Sequence, residues 1–557
     1  MTISMNDRQK LVMRWNALKA ERSSWIAHYQ DISRHIQPRS GRFFVQDRNR
    51  GEAKHNAIYD STGTRSLRIL SAGLMGGATS PARPWFRLAV HDKQLMKVPA
   101  VRIWLDEVTQ LILTVFQKSN TYRGLHSLYQ EMGAFGTGVS LITGDSKDVI
   151  RHYPLTAGEY CLAQNWRGET CTLYREFQKT VAEIVGEFGL DNCSNTIKTM
   201  YANGQLDSWV TLIHAIEPRA DRDTEKRDAK NMAWRSVYFE LGSDHNGVLR
   251  ESGYKRFPGV APRWEVTGGD VYGNSPAMEA LGDVKQLQLQ NLRLGQAIDY
   301  QTKPPLQVPI TMVNQAVDML PGGISYYDPA TANGKIQSAW QVNLDLSHLQ
   351  QNMAEVRHRI GEAFYTDLFL MLSNIDKSGM TATEVAERHE EKLLMLGPVI
   401  ERLDNEGLNP LVDNAFDQLL EAGALPPPPQ ELNGQDLQVV YTSVLAQAQR
   451  AVATNGVDRF VGNLGQIATM KPDVLDKFDA DNWVDAYSDM LGVDPNMIVA
   501  GEQVAMIRQQ RAQAQAQAAQ QEQINLASQT AKNLGQTPTD GGNAASNVLD
   551  MFAQGMG

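Results

Sequence analysis

Apolar side chains return every three or four positions along much of this chain, which is the spacing of one face of an α-helix. The first such segment spans residues 5–36, and its apolar positions are Leu11, Trp15, Leu18, Trp25, Ile26, Tyr29 and Ile32. The longest spans 381–421, where Gly397-Pro398 predicts a kink because proline removes a backbone donor. Further helices are predicted over 61–75, 97–118, 121–135, 276–302, 345–372, 443–454, 457–469, 480–490 and 503–534.

Between residues 138 and 270 the helical spacing gives way to short runs rich in β-branched and aromatic residues, bounded by Gly, Asp and Asn. These runs predict strands over 139–143, 170–177, 209–216 and 234–241, with a helical patch at 180–189 and a later strand at 438–442. Residues 304–343 are also β and turn in character. The segments together predict an α+β fold, predominantly helical, in which the early helices cover a sheet.

Composition narrows the class of protein. The chain has 557 residues, too many for one compact core, and its 42% apolar and 21% charged fractions are those of a globular protein. The net charge of −10 argues against a protein that wraps duplex DNA, since such binding requires many cations. Residues 1–70 carry thirteen Lys and Arg against six Asp and Glu, so this segment is either a solvated surface or a nucleic-acid arm.

The three cysteines, Cys161, Cys171 and Cys193, lack metal-ligand spacing, which predicts free thiols in a reducing compartment. The first residues mix charged and apolar side chains and so give no secretory signal. No apolar run approaches the length of a membrane span. We therefore expect a protein that is made and used in a cytoplasm, without membrane contact.

No motif for catalysis or cofactor binding fits the sequence. Gly334-Lys335 lacks the neighbouring residues of a phosphate-binding loop, and the Gly-rich segment 133–138 precedes a strand, whereas a dinucleotide-binding loop opens a helix. His358 and His389 lie on predicted helices, where a surface position is the more common case. An acidic run on the long helix is typical of a solvated face: Glu384, Glu387, Glu390 and Glu391. We therefore expect no cofactor, no metal and no enzymatic activity.

Four segments resemble those of one protein family, and they stand in that family's order. They are a small-residue helix leading into Ser80-Pro81 and Trp85-Phe86, a Gly-rich entry to a strand, a Tyr-Gly-x-Ser opening of a helix, and the start of a long helix. Their positions are 59–88, 120–141, 269–277 and 379–386. The chain thus resembles the portal, or head-to-tail connecting, proteins of podoviruses, the short-tailed bacteriophages. The resemblance covers residues 10–500.

The resemblance implies an architecture for a ring-forming subunit. Residues 1–275 together with 381–440 would form an α/β wing, and the helices 276–302 and 345–372 would form a stem. Between the stem helices, 303–344 would form a β-containing clip facing the tail and the packaging motor. The remaining implied parts are a tunnel loop at 373–380, a helical crown at 441–534 and a flexible tail at 535–557.

The resemblance also implies site residues and partners. The tunnel loop would contact DNA in the channel through Ser373, Asn374, Asp376, Lys377 and Ser378, while Tyr326 and Tyr327 of the clip would serve docking. The implied assembly is a closed twelve-subunit homo-oligomeric ring around double-stranded DNA, at one vertex of the virion, assembled in the host cytoplasm. Its implied partners are the terminase ATPase, the tail adaptor and tail proteins, and the major capsid and scaffolding proteins.

Two alternatives from other classes remain open. The first is a different phage structural protein, a tail adaptor or an internal ejection protein. Adaptors are generally shorter, and ejection proteins lack the order of helix, β segment, helix, loop and long helix found at 276–421. The second is a DNA-processing enzyme such as a nuclease, which would need an acidic metal cluster that the sequence does not offer.

Overall fold

The computed structural model describes residues 5–44, 54, 56–92, 94–226, 228–242, 247–303, 306–307, 337–338, 346–371, 394–432, 434–491, 499 and 501–535. Helices and strands both occur along these residues and helices are in the majority, so the expected α+β, predominantly helical fold class is confirmed. The chain divides into two compact units, residues 1–456 and residues 457–557.

The first unit contains most of the helices. They are α1 (Met5–His35), α2 (Thr62–Ala78), α3 (Pro99–Lys118), α4 (Thr121–Phe135), α5 (Val181–Phe188), α6 (Asn195–Ala202), α7 (Pro276–Thr302), α8 (Ser347–Ala363), α9 (366–371), α10 (394–403) and α11 (Asn409–Glu421). Helix α12 (Val444–Met470) crosses the boundary between the units, and α13 (Ala480–Leu491) and α14 (Gly501–Gly535) belong to the second unit.

The strands of the first unit pair in antiparallel fashion. They are β1 (Phe86–Val90), β2 (Val139–Asp145), β3 (Val149–Leu155), β4 (Tyr160–Gln164), β5 (Thr170–Thr180), β6 (Trp209–Pro218), β7 (Trp234–Glu240), β8 (Arg250–Tyr254), β9 (Gly259–Val260), β10 (Leu306–Gln307), β11 (Gln337–Ser338) and β12 (Leu437–Tyr441). The largest sheet has the order β4-β5-β6-β7-β8, and a smaller one has the order β3-β2-β9. The other pairs are β1-β12 and β10-β11.

Both faces of the five-stranded sheet are covered. The first half of α1 packs on one face, where its buried side chains meet alternate residues of four strands. These are Leu11, Trp15 and Leu18 of α1 against Cys161, Tyr174, Ile213, Val237 and Phe239. Helices α5 and α6 cover one end of the other face, and the smaller sheet covers the other end. The predicted covering of the sheet by an early helix is thus confirmed for α1.

The main core joins segments that are far apart in sequence. It is built by the second half of α1, by α2, α3, α4, α7, α8, α10 and α11, and by the start of α12. Strands β1 and β12 pair with each other along one side of this core, with Phe86 opposite Tyr441 and Val90 opposite Leu437. Trp85, fully buried, stacks on Tyr441 with ring centroids 6.4 Å apart. Residues from 29 to 448 therefore share one core.

Three helix predictions need correction. The single helix predicted over 345–372 is interrupted, because α8 ends at Ala363 and Tyr365 takes a left-handed backbone conformation (φ +53°) before α9. The two helices predicted over 443–454 and 457–469 are one continuous helix, α12. Helix α10 continues through Gly397 and Pro398, and the departure from α-helical hydrogen bonding comes at the π-helical turn Asp404–Leu408. Residues 381–393 of the predicted long helix lie outside the described residues.

The second unit is helical and largely solvent-exposed. An aromatic run of Phe478, Trp483 and Tyr487 packs together at the start of α13, with Trp483 stacked on Tyr487 at 4.8 Å. Both oxygens of Asp481 accept hydrogen bonds from Arg508 of α14, at 2.6 and 2.7 Å. Beyond this contact, the described side chains from 505 to 526 of α14 are exposed.

Candidate functional site

The start of α7 lies against the end of α4, where two of the four family-like segments meet. Gly136 ends α4 in the left-handed conformation, with φ +77°. A Cβ atom placed on Gly136 would lie 2.0 Å from the carbonyl oxygen of Gly273, and one placed on Gly273 would lie 2.3 Å from that of Gly136. Only glycine at both positions allows the two backbones to approach so closely. The close contact between the two segments therefore depends on both glycines.

The side chain of Ser275 fixes the first turn of α7. Its hydroxyl oxygen accepts a hydrogen bond from the backbone N–H of Met278 (3.1 Å), and the hydroxyl donates one to the carbonyl oxygen of Ala134 (2.8 Å). Beside it, the buried hydroxyl of Thr137 accepts a hydrogen bond from the backbone N–H of Gly273 (2.9 Å). Since α4 belongs to the main core, the direction of α7 is set by that core.

Helices α7 and α8 pack as an antiparallel pair. Arg359 donates to the carboxylate of Asp283 at 2.9 Å, and the side-chain amide of Gln290 donates to Asn352 at 2.7 Å. Residue numbers therefore rise along α7 as they fall along α8. The apolar side chains between the pair and the core are Met278, Leu281, Val284 and Leu287 of α7 and Met353, Val356 and Ile360 of α8.

Asp60 links the segment before α2 to α8. One carboxylate oxygen accepts hydrogen bonds from the backbone N–H and the hydroxyl of Thr62, so it caps the first turn of α2. The other oxygen accepts two hydrogen bonds from the guanidinium of Arg357 on α8, at 3.0 and 2.9 Å. The Asp60 side chain is 10% exposed, so water screens this ion pair less than one on an open surface.

Gln288 links the same segment to α7. Its side-chain oxygen accepts hydrogen bonds from the backbone N–H groups of Tyr59 (2.6 Å) and Asp60 (2.8 Å), and its amide nitrogen donates to the carbonyl oxygen of Asp60 (2.8 Å). One turn later, Asn291 donates to the carboxylate of Asp60 at 3.2 Å. The residues around Asp60 therefore join α2, α7 and α8 in one polar cluster, which we call the Asp60 cluster.

The Asp60 cluster favours the ionised carboxylate. Burial of Asp60 acts to raise the pKa of its carboxyl, but the hydrogen bonds from Thr62 and Arg357 outweigh burial and the pKa lies below its usual value. The folded protein therefore binds this proton more weakly than the unfolded chain does. The corresponding stability is present above the unfolded pKa and is lost as the pH falls through the folded pKa.

Asp60→Asn tests this cluster. At neutral pH we expect the free energy of unfolding to fall by about 1–2 kcal/mol, because Arg357 loses its charged partner while the shape of the side chain is kept. The difference in unfolding free energy between the variant and the wild type should become smaller at acidic pH, where Asp60 itself becomes protonated. Urea unfolding at neutral and acidic pH measures both effects. Arg359→Gln breaks the more exposed pair with Asp283 and should have a smaller effect; equal effects would contradict the special role of Asp60.

Beyond the Asp60 cluster, α7 leaves the core. From Leu289 to Thr302 the side chains are exposed or half-buried, yet several of them are large and apolar. The exposed fractions are 47% for Leu289, 45% for Ile298 and 50% for Tyr300. A helix with apolar side chains that its own subunit leaves uncovered is typical of a helix that packs against other chains.

A second polar junction connects the β-rich part to α10 and α11. Arg263, only 4% exposed, donates from Nη2 and Nε to the two carboxylate oxygens of Glu406 at 2.6 and 3.0 Å. Its remaining donors reach the carbonyl oxygens of Gly168 (2.9 Å) and Asp270 (3.3 Å). Glu406 lies in the π-helical turn, and its own carbonyl accepts a hydrogen bond from Ala261 at 3.3 Å. This buried pair holds the end of α10 onto the sheet region.

The residues predicted for DNA contact and for docking are not in these junctions. Ser373, Asn374, Asp376, Lys377 and Ser378 lie outside the described residues, and so do Tyr326 and Tyr327. The described chain leads into these two segments at Thr302 on α7 and at 346 and 371 around α8 and α9.

Several other expectations concern the described residues. Cys161, Cys171 and Cys193 are all free thiols, as predicted. Across the described ranges, no three His, Cys, Asp or Glu side chains lie together in a way that could hold a metal ion. Within the same ranges, no helix combines the length and the apolar character needed to cross a membrane.

Neither polar junction could be predicted from the sequence. Asp60 directly precedes the helix predicted over 61–75, and its partner Arg357 is almost 300 positions later. Arg263 and Glu406 are likewise far apart and stand in no motif. The useful local signal was the glycine pattern, because Gly136 and Gly273 both stand in segments that carried the family resemblance.

Comparison with known proteins covers almost the whole chain. The family model described as bacteriophage head to tail connecting protein matches residues 8–499. The chain is 58% identical to the "Probable portal protein" of Bordetella phage BPP-1, over 98% of this chain and 99% of that protein. It is 45% identical to the "Portal protein" of Salmonella phage epsilon15, over 96% of each.

Among solved structures, a chain of the virion of a native gene transfer agent particle is 10% identical, with a TM-score of 0.34, over 84% of this chain and 99% of that chain. At that TM-score the likeness adds nothing to the assignment. The sequence relatives are sufficient, because the matched residues include every segment that carried the resemblance, together with both glycines of the α4–α7 junction and the whole Asp60 cluster. The chain belongs to the bacteriophage head to tail connecting proteins, the structural family of the phage portal proteins.

Proposed function

We propose that copies of this chain form a closed ring of twelve at one vertex of the phage capsid, through which the genome is packaged and ejected. The observation that carries the proposal is the 58% identity to a probable portal protein over 98% of this chain. The uncovered apolar side chains of α7 support it, because neighbouring copies in a ring would bury them. Head-to-tail contacts that close on themselves suit an assembly of identical subunits.

In this proposal 276–302 (α7) and 345–372 (with α8 and α9) are the stem, 303–344 the clip and 373–380 the tunnel loop. Residues 1–275 with 381–440 form the wing, 441–534 the crown and 535–557 a flexible tail. Support comes from the anchoring of α7 and α8, whose ends nearer the core are held by the α4–α7 junction, by the Asp60 cluster and by buried apolar side chains, whereas the side chains of α7 from Leu289 onward are exposed or half-buried. Such anchoring would leave the far ends of the stem free to carry the clip away from the wing.

Duplex DNA must pass through such a channel in both directions. The net charge of −10 favours passage, because an acidic lining repels phosphate whereas a basic lining would retain it. Lys377 is the one cation in the proposed tunnel loop, and twelve copies would give a weak contact with phosphates that is independent of base sequence. The neighbouring Ser373, Asn374, Asp376 and Ser378 would supply hydrogen-bonding groups.

We further propose that the chain is not an enzyme and that the energy for packaging comes from a terminase ATPase docked on the clip. The tail adaptor would dock on the same clip, where Tyr326 and Tyr327 offer aromatic side chains of the kind enriched at interface hot spots. Major capsid and scaffolding proteins would surround the ring during assembly in the host cytoplasm. A tail adaptor, an internal ejection protein or a nuclease would not be expected to match portal proteins over its full length.

Two variants test the proposed roles of the tunnel loop and the clip separately. Lys377→Ala should leave ring assembly and tail attachment intact and should change the amount of DNA packaged or retained. Replacing 321–334 with a short linker should leave ring assembly intact and abolish tail attachment. Packaged DNA and tailed particles are counted for both variants in a complementation assay. Unchanged packaging and retention in the first variant would reject the tunnel-loop role, and normal tails in the second would reject the docking role.

A further inference from the structure

The turn between β4 and β5 presents an aromatic side chain to solvent. Trp166 is 88% exposed, more than any other Phe, Tyr or Trp in the described part of the chain. The guanidinium of Arg167 lies 4.8 Å from the centre of the indole ring. We call Trp166 and Arg167 the hairpin tip. Tryptophan and arginine are the residue types most enriched at interface hot spots, so this pair is a candidate contact surface.

The backbone of the hairpin tip is held in place from several sides. The side-chain oxygen of Asn165 accepts hydrogen bonds from the backbone N–H groups of Arg167 (2.9 Å) and Glu169 (3.1 Å). Gly168 takes a left-handed conformation (φ +79°), and its carbonyl accepts a hydrogen bond from the buried Arg263. A tip that is ordered before it binds loses little conformational entropy on binding, which favours affinity.

A groove on the same subunit has the complementary chemistry. It has a volume of about 610 Å³ and lies between β12 and the helices α10 and α11. Apolar side chains line part of it, namely Ile400, Leu437 and Val439. The carboxylates of Glu401, Asp404, Asp413 and Asp436 also line it, and we call it the acidic groove.

The carboxyls of the acidic groove differ in whether a cation of the described residues pairs with them. Asp413 is paired with Arg256 at 2.7 Å, whereas no Lys, Arg or His among the described residues pairs with Asp404. Burial of Asp404, and then the neighbouring Glu401, raise the pKa of its carboxyl to about 7. A guanidinium arriving from outside the subunit would stabilise the ionised form of both carboxyls.

The hairpin tip and the acidic groove are separate features of the surface, and a second groove borders both. Asn405 and Asp413 line the acidic groove, and they also line a second groove of about 740 Å³ that is bordered by Asn165, Arg167 and Gly168 next to the tip. A protrusion and a separate recess on one subunit allow a head-to-tail contact between identical copies.

We propose that the hairpin tip of one subunit docks in the acidic groove of the next, with the Trp166 indole on the apolar lining and the Arg167 guanidinium against Glu401 and Asp404. The occupant is a second copy of this chain, and it is selected by charge, a cationic tip entering an acidic groove. This inference rests on the proposed ring.

The test measures assembly of the full chain by mass photometry across a concentration series. Trp166→Ala and Arg167→Glu should each raise the concentration of half-assembly at least about tenfold, the second because like charges face each other. The double variant Arg167→Glu with Glu401→Arg should recover most of the loss, since each interface regains an opposite pair. Arg222→Glu makes the same charge change at another exposed position and should assemble as the wild type does.

Thermal unfolding of each variant shows whether the subunit itself remains folded, as expected for changes at an exposed tip. Rings formed by both tip variants at the wild-type concentration would overturn the inference while leaving the proposed function intact. Normal rings that no longer incorporate into capsids would also overturn it, because the tip would then bind a different partner. If the wild type itself formed no ring, the proposed function would fail, and this inference with it.

Discussion

Replacing Gly136 with alanine is expected to lower the free energy of unfolding of the first unit by about 3–5 kcal/mol. Two costs add. The backbone of Gly136 has φ +77°, which a residue with a Cβ adopts only under strain, and that Cβ would lie 2.0 Å from the carbonyl oxygen of Gly273. Neither backbone can move easily, because Ser275 and Thr137 hold the two segments together. The measurement is urea unfolding of the purified variant, followed by its yield of assembled particles.

Gly186→Ala is the matched control. Gly186 lies inside α5, and a Cβ placed on it would meet nothing within 4 Å. Alanine should therefore stabilise the protein by roughly 0.5–1 kcal/mol through the lower entropy of its unfolded chain. If Gly136→Ala were as stable as the control, the close approach at the α4–α7 junction would not be a feature of the folded protein.

Arg263→Met is expected to be the other strongly destabilising change, by about 3 kcal/mol, because it removes the two-point partner of the Glu406 carboxylate in a largely buried site and leaves that carboxylate the longer contact with Arg402 at 3.8 Å. The double variant Arg263→Met with Glu406→Leu should be closer to the wild type than Arg263→Met alone, since neither member of the pair is then left charged and buried. A double-mutant cycle of unfolding free energies measures this coupling. Additive effects of the two single changes would contradict a direct pair.

Much of the fold could be predicted from local sequence. The segment 276–302 was predicted as a helix and is observed as Pro276–Thr302, because its limits are coded locally by the cap Ser275, by Pro276 in the first turn and by Lys303-Pro304 after the end. The strands predicted at 139–143, 170–177, 209–216 and 234–241 are likewise observed as β2, β5, β6 and β7. Each of these runs is rich in β-branched and aromatic residues.

The features that were missed depend on contacts between distant residues. The left-handed break at Tyr365 is not coded by a glycine, and Tyr365 packs against Trp264, about a hundred positions earlier. Strand β1 forms only because β12 pairs with it from more than 340 positions away. The break predicted within 443–469 was wrong for a different reason: a glycine such as Gly456 weakens a helix by about 1 kcal/mol but does not end it.

The position of the candidate site could be predicted from the sequence better than its chemistry could. The order of segments identified the family and located the start of α7, while the Asp60 cluster and the Arg263–Glu406 pair became visible only when distant side chains were brought together. The residues that form these hydrogen bonds are not regularly spaced along the chain, so no sequence pattern indicates them. The hairpin tip could be predicted in part. Asn165 and Gly168 are recognisable turn residues, but the exposure of Trp166 depends on the tertiary structure.

Electron microscopy of the purified protein shows whether this chain forms the closed ring of a portal. Class averages should show closed rings with a central channel, and their rotational symmetry should be twelvefold. Light scattering on the same sample should give a mass many times the 61.9 kDa of one chain. A sample that remained a 61.9 kDa monomer at every salt and protein concentration, with no rings in the micrographs, would contradict ring formation and with it the proposed function.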